Sequence, residues 1–157
     1  TTEIIGVNTG KLFGNYEYGK VLGPMMLKVP LIIGLNWFIV IYCSGVFIQR
    51  LVLKFEKHLS DGIFNKNRKL QLLSVIVDGS ILAVLFDWLI EPVAIQLGFW
   101  KWNPDGKIPF YNYACWFAVS VVILWVFSLL RFDKDNKFAV NLLLIQAMFF
   151  LILRTCL

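Results

Sequence analysis

Long apolar runs alternate with short polar connectors along most of the chain. Four of these runs contain the roughly 20 predominantly apolar residues that a helix needs to cross a bilayer, and they lie near residues 29–53, 70–97, 113–130 and 138–157. Short connectors favour antiparallel packing of consecutive helices. The pattern therefore predicts an all-α fold, a polytopic transmembrane helical bundle with four spans, in which residues 1–157 form a single integral membrane domain.

The segment that precedes the first apolar run, residues 1–28, has a different pattern. Glycine recurs in it every four or five positions, at Gly6, Gly10, Gly14, Gly19 and Gly23. So much glycine disfavours a stable isolated helix, yet the segment is too apolar for a disordered tail. We expect an ordered, irregular or re-entrant cap packed on the bundle and touching the 98–112 connector. The alternative is a surface tail held by aromatic anchors.

Composition and charge agree with a membrane protein. Hydrophobic residues make up 59% of the chain, whereas an ordinary soluble domain has about 45–50%. Nine of the 15 lysines and arginines lie in the 50–69 and 131–137 connectors, which the positive-inside rule places on the cytoplasmic side of the membrane. We expect a multi-pass protein of the inner (plasma) membrane. The net charge of +5 is thus explained by topology, and no nucleic-acid partner is expected.

Cysteine and histidine positions do not suggest a metal site. Cys43, Cys115 and Cys156 are far apart and lie in or at the ends of apolar runs, and His58 is in a charged loop. No CxxC or similar ligand spacing links them. We therefore expect buried, apolar cysteines and no metal. The sequence also lacks a P-loop and an HExxH motif.

The second apolar run carries carboxylates, which are costly in a spanning helix and are functional candidates by default. Asp87 and Glu91 are one turn apart on nearly the same face, and Pro92 follows and can kink the helix. Two carboxylates this close in poor solvation do not both ionise easily, so one of them could serve as a general acid. The alternative is a pair that only accepts hydrogen bonds from tryptophan and tyrosine.

A third carboxylate of the same run, Asp78, lies on the opposite side of the helix, nine residues before Asp87. Its expected role is structural rather than chemical. We expect it to make a polar contact to a neighbouring helix, supplied by Asn36, Asn141 or Gln146.

Aromatic side chains surround a strong turn signal, Asn103-Pro104-Asp105-Gly106, in the 98–112 connector. They suit a membrane-interface belt, and several of them also suit the lining of an apolar cavity. Positive-inside topology puts this connector and residues 1–28 on one face. Glu3, Asn112 and Tyr113 could therefore join the carboxylate pair in an aromatic chamber suited to acid chemistry on an apolar substrate.

Four motifs occur in order within residues 2–38 and 87–117. They are E-x-x-G-V-x-T-G, Y-x-Y-G-x-x-L-G-P, D-x-x-x-E-P and W-x-W…I-P-x-x-N-Y-x-x-W-F. With them the chain resembles the membrane carotenoid-biosynthesis proteins that include the bacterioruberin-pathway and γ-carotene hydratases. That family has more than four helices, and this sequence does not begin with methionine, so we expect one or more spans before Thr1.

The resemblance implies addition of water to the terminal double bond of an acyclic carotenoid, without a redox cofactor. The matched acids are Asp87, Glu91 and Glu3. The implied substrate-binding residues are Trp100, Trp102, Asn112, Tyr113, Trp116, Tyr16 and Tyr18. Two alternatives stay open: a lycopene-cyclase-like enzyme, which begins with the same protonation but excludes water, and a non-catalytic subunit that binds carotenoid or another lipid among partner membrane subunits.

Overall fold

The computed structural model describes residues 2–58 and 68–157, without the side chains of residues 57 and 58. The rest of the predicted cytoplasmic connector, residues 59–67, lies outside the described residues. In chain order the elements are α1 (Thr2–Thr9), β1 (Tyr16–Tyr18), a short 3-10 helix (Lys20–Leu22), β2 (Met25–Met26), β3 (Val29–Pro30), α2 (Leu31–His58), α3 (Arg68–Gln96), β4 (Trp100–Trp102), α4 (Phe110–Leu129) and α5 (Lys137–Cys156).

Within these described ranges, four helices are long and apolar enough to cross a membrane, α2 to α5. The predicted transmembrane helical bundle is confirmed, and each predicted span end agrees with its helix end to within five residues. The largest difference is at the end of α2, which continues to His58. The sequence suggested that His58 lies in a charged loop, but it is the last residue of α2.

Consecutive spanning helices run in opposite directions. At one end of the bundle, Gln71 near the start of α3 donates a hydrogen bond to Glu56 near the end of α2. At the other end, the side-chain nitrogen of Gln96 donates to the backbone carbonyl of Leu157 over 3.0 Å, joining the ends of α3 and α5. We call this second end the capped end, because α1 and the short strands lie there.

Small residues allow three of the helices to meet closely in the middle of the bundle. A Cβ atom added at Gly45 of α2 would lie 2.6 Å from a methyl carbon of Leu124, and one added at Gly79 of α3 would lie 2.7 Å from its other methyl. Leu124 of α4 is fully buried. Glycine thus lets one leucine wedge between two helices, as small residues commonly do in membrane bundles.

The N-terminal cap is ordered and contacts the 98–112 connector, as expected. Its strand β1 pairs antiparallel with β4 of the connector. The expectation of an irregular cap was wrong for its first residues, which form the helix α1. Tertiary packing stabilises α1 despite the low helix propensity of glycine. Gly6 lies so close to the ring of Phe13 that an added Cβ would be 2.7 Å from Phe13 Cδ2.

Two further expectations are corrected by the fold. Asp78 is exposed on the outer surface of the bundle and accepts a hydrogen bond from Ser74, one turn earlier on its own helix, rather than from another helix. Cys43 and Cys115 are buried as expected, but Cys156 is exposed, because it is the last residue of α5.

Candidate active site

The pairing of β1 with β4 turns four aromatic rings toward the bundle. Tyr16 lies opposite Trp102, and Tyr18 lies opposite Trp100. Side chains alternate between the two faces of a strand, so the residues between them point outward, where Glu17 and Lys101 form an exposed ion pair of 3.2 Å. The short sheet therefore separates a charged outer face from an aromatic inner face.

Glu3 of α1 is buried beneath this inner face, with 6% of its surface exposed. Its Oε2 atom accepts hydrogen bonds from the Tyr16 hydroxyl and, over 2.9 Å, from the Tyr18 hydroxyl. Burial raises the pKa of Glu3 above the ordinary glutamate value, and the two tyrosine hydrogen bonds partly oppose that rise. Burial, and then the nearby Glu3 charge, raise the pKa of both tyrosines as well, so they remain donors.

Asp87 and Glu91, near the end of α3, are both buried and share one donor. The side-chain nitrogen of Asn112 lies 2.9 Å from Asp87 Oδ2 and 3.3 Å from Glu91 Oε1. The other oxygen of Glu91 accepts from the indole nitrogens of Trp100 at 3.0 Å and Trp102 at 3.1 Å. Asn112 is in the first turn of α4, so both α4 and β4 donate hydrogen bonds to the carboxyl pair of α3.

A cavity of about 20 Å³ lies between Glu3 and this pair. It has room for about one water molecule, and its lining supplies several polar partners for one. The lining residues are Glu3, Tyr16, Tyr18, Trp37, Asp87, Glu91, Trp100, Trp102, Asn112 and Trp116. Carboxyl groups from a cap helix and from a spanning helix thus face one small polar space inside an aromatic shell.

Two rings that line the cavity, Trp37 and Trp116, belong to a stack of three rings. Trp116 lies between Phe13, with ring centroids 4.6 Å apart, and Trp37, with centroids 3.7 Å apart, and both pairs are nearly parallel. All three side chains are buried. The stack joins the cap, α2 and α4 and fixes the position of the rings that face the cavity.

Nine of the ten residues singled out from the sequence line the cavity, and Tyr113 does not. Tyr113 is half-buried one position after Asn112, where the helical rotation of about 100° per residue turns it away. Sequence reasoning missed Trp37 as a site residue. Trp37 lies near the end of residues 2–38, one of the two stretches that carry the family resemblance. That position was the sequence feature that could have marked it as a site residue.

Comparison with known proteins places the chain among carotenoid-pathway proteins. All of it, residues 1–157, matches the family described as "Carotenoid biosynthesis protein". It is also similar to the bisanhydrobacterioruberin hydratase of Haloarcula japonica, with 30% identity over 135 residues. The alignment covers 84% of this chain and 41% of that protein, so the chain spans less than half the length of this relative. No solved structure matches the chain. The chain therefore belongs to the carotenoid biosynthesis protein family.

Proposed function

We propose that the protein is a carotenoid hydratase, which adds water to the terminal double bond of an acyclic carotenoid by acid catalysis. The observation that carries the proposal is the position of Glu3, Asp87 and Glu91 around one cavity with room for about one water molecule. Family membership and the similarity to a hydratase support the same reaction. The proposal needs no redox cofactor, because addition of water neither oxidises nor reduces the carotenoid overall. It needs no metal, because a carboxyl group supplies the proton that starts the reaction.

The reaction has two bond-forming steps. A carboxyl group gives its proton to one carbon of the trisubstituted terminal alkene, and the π electrons form the new C–H bond. The tertiary cation at the other carbon then takes an electron pair from water, which forms the C–O bond. The attacking water gives a proton to a carboxylate, so one molecule of water is added in total.

The residues around the cavity suit these steps. Glu3, Asp87 and Glu91 are the acid and base candidates, because all three line the cavity and a carboxyl group can donate a proton when neutral and accept one when ionised. Asn112, Tyr16 and Tyr18 hold the carboxyl groups in place through the hydrogen bonds described above. Aromatic ring faces attract a cation, and Trp37, Trp100, Trp102 and Trp116 line the same space.

The membrane setting belongs to the proposal too. We infer that residues 1–157 act as one membrane domain in a bacterial or archaeal inner membrane, and that the 131–137 connector faces the cytoplasm. The capped end, with the cavity, then lies near the outer surface of the membrane. An acyclic carotenoid dissolved in the bilayer would reach it without crossing an aqueous phase.

The direct test is expression of the protein in a host that makes lycopene, followed by mass analysis of the pigments. A product heavier by one water, with a tertiary alcohol at the end group, is expected. A product of unchanged mass with a ring would instead indicate a cyclase-like enzyme. Unmodified pigment retained by the purified protein, with no hydrated product in the cells, would indicate a binding subunit. Either of these results, at an expression level matched to an active reference hydratase, would contradict the proposal.

A further inference from the structure

An apolar groove lies between α2 and α4, beside the cavity. Its volume is about 230 Å³. On α2 it follows Gly34, Phe38 and Ile41, and on α4 it follows Val119 and Ile123. The seven residue-to-residue steps from Gly34 to Ile41 along the helix correspond to a length of about 10 Å. The groove thus extends about two turns away from the capped end along the spanning helices.

The groove adjoins the cavity, because three residues line both spaces: Glu3, Trp37 and Trp116. Asp87 and Glu91 line only the cavity. A ligand in the groove therefore meets Glu3 first, and the α3 carboxyl pair lies farther on, across the cavity.

The other side of the groove opens onto the outer surface of the bundle. Phe38 is 61% exposed and Leu31, at the start of α2, is 55% exposed. Both helices are long and apolar enough to span a membrane, so this surface is one that lipid chains would touch. Access to the groove is therefore lateral, from the hydrocarbon phase.

We propose that this groove binds the terminal isoprenoid segment of the carotenoid, which enters from the bilayer and places its end alkene against Glu3. The proposal rests on the proposed hydratase function and assigns that site its substrate channel. The volume is suitable: an apolar cavity of roughly 150 Å³ binds benzene, so about 230 Å³ holds roughly nine or ten carbons. That is about two isoprene units, with the rest of the chain in the membrane.

Shape, rather than apolarity, selects the ligand. Lipid chains are as apolar as the groove, so moving a carotenoid end from the bilayer into it yields little hydrophobic free energy. Selection has to come from contact with the Trp37 and Trp116 rings and from the fit of the branched end group between the two helices. A side chain that fills the groove should therefore prevent binding.

This geometry gives Glu3 and the Asp87–Glu91 pair different roles in the reaction. Glu3 donates its proton to the alkene carbon and becomes a carboxylate, and water in the cavity attacks the cation with its oxygen lone pair. The proton that the water releases goes to the Asp87–Glu91 pair. Transfer of that proton back to Glu3 across the cavity restores the starting state, and nothing is oxidised or reduced.

Gly34 provides a clean test, because an added Cβ there would meet no atom within 4 Å. Gly34→Leu adds a side chain to the groove wall at a position where the Cβ itself meets no clash, and Ile123→Trp enlarges the side chain on the opposite wall. Leu35→Phe is the matched control, since Leu35 is exposed on the same helix and does not line the groove. Each variant is expressed in a lycopene-producing host, and lycopene retained by the purified protein and hydrated product in the cells are measured. Size-exclusion chromatography verifies that each variant is folded.

Both groove variants are expected to lose at least about tenfold in retained lycopene and in product, the scale on which a small misfit in an apolar pocket acts. Leu35→Phe should behave like the parent protein. Unchanged retention and product in Gly34→Leu and Ile123→Trp would overturn the groove assignment and leave the hydratase proposal standing. If the parent protein retains lycopene but makes no hydrated product, and the groove variants lose that retention, the groove assignment would stand and the hydratase proposal would be overturned. A parent protein that neither retains lycopene nor hydrates it would overturn both proposals.

Discussion

Tyr16 and Trp102 face each other across the β1–β4 pair with ring centroids 5.1 Å apart, and each donates a hydrogen bond to a different buried carboxyl group. Tyr16 donates to Glu3 of the cap, and Trp102 donates to Glu91 of the spanning helix over 3.1 Å. One strand pairing therefore fixes the position of a cap carboxyl relative to a bundle carboxyl.

The carboxyl pair of α3 is expected to be essential for product formation. Loss of a positioned acid or base typically costs about 100- to 10,000-fold in rate. Asp87→Asn and Glu91→Gln keep the shape of each side chain, so each variant should insert and fold yet yield almost no hydrated carotenoid. Pigment mass analysis in a lycopene-producing host, at matched expression, measures the effect.

Asp78→Asn is the control for that pair, because Asp78 is on the same helix but exposed on its outer surface. Its product level should stay close to that of the parent protein. Near-normal hydration by both Asp87→Asn and Glu91→Gln would mean that the pair is structural.

The protonation of Glu3 should respond to its tyrosine partners in a defined direction. Burial raises the pKa of Glu3, and the Tyr16 hydrogen bond lowers it. Tyr16→Phe removes the hydroxyl and keeps the ring, so the pKa of Glu3 should rise further. The protonated-carboxyl C=O band in infrared difference spectra, assigned with Glu3→Gln, should then persist to higher pH than in the parent protein. A shift of this band to lower pH would disprove the assigned hydrogen-bond effect.

The close approach of the cap to the connector should not tolerate a side chain at Gly19. Its backbone N–H donates to the carbonyl of Phe99 over 2.8 Å, and an added Cβ would lie 1.9 Å from the carbonyl oxygen of Gly98. Gly19→Ala should therefore separate β1 from β4. Faster hydrogen exchange at the β1 and β4 amides and a large loss of product are expected.

Glu17→Ala is the matched change for Gly19→Ala. It removes an exposed ion pair with Lys101 and an exposed hydrogen bond of 3.3 Å from the Asn103 side chain. Exposed ion pairs contribute about 0–1 kcal/mol. Exchange rates in the two strands should hardly change. If Gly19→Ala also leaves them unchanged, the strand pairing does not depend on this contact.

Cysteine labelling in intact cells tests the orientation. The native Cys156 is exposed at the capped end, whereas Cys43 and Cys115 are buried. With the 131–137 connector in the cytoplasm, a membrane-impermeant maleimide should label Cys156 from outside. A cysteine introduced by Asp133→Cys should be labelled only after lysis. Labelling of that cysteine in intact cells would reverse the topology.

Local sequence determined the spanning helices. Apolar length is a property of a continuous stretch, so the four helices could be located within a few residues of their ends without knowledge of their neighbours. Helical rotation likewise placed Asp87 and Glu91 on one face. The charge of the connectors predicted an orientation by the same kind of local argument.

Tertiary structure decided the rest. The contacts that form the site join residues far apart in the chain. No local sequence pattern predicts which segment a short strand will pair with. For the same reason α1 forms despite its glycine, Asp78 faces outward rather than toward another helix, and Trp37 joins the cavity wall. The sequence by itself determined which residues could be buried in a membrane and which carboxyl groups were available, because both depend on local composition. Only the packing of the cap onto the bundle decided that Glu3, Asp87 and Glu91 face one cavity, because that depends on contacts between distant segments.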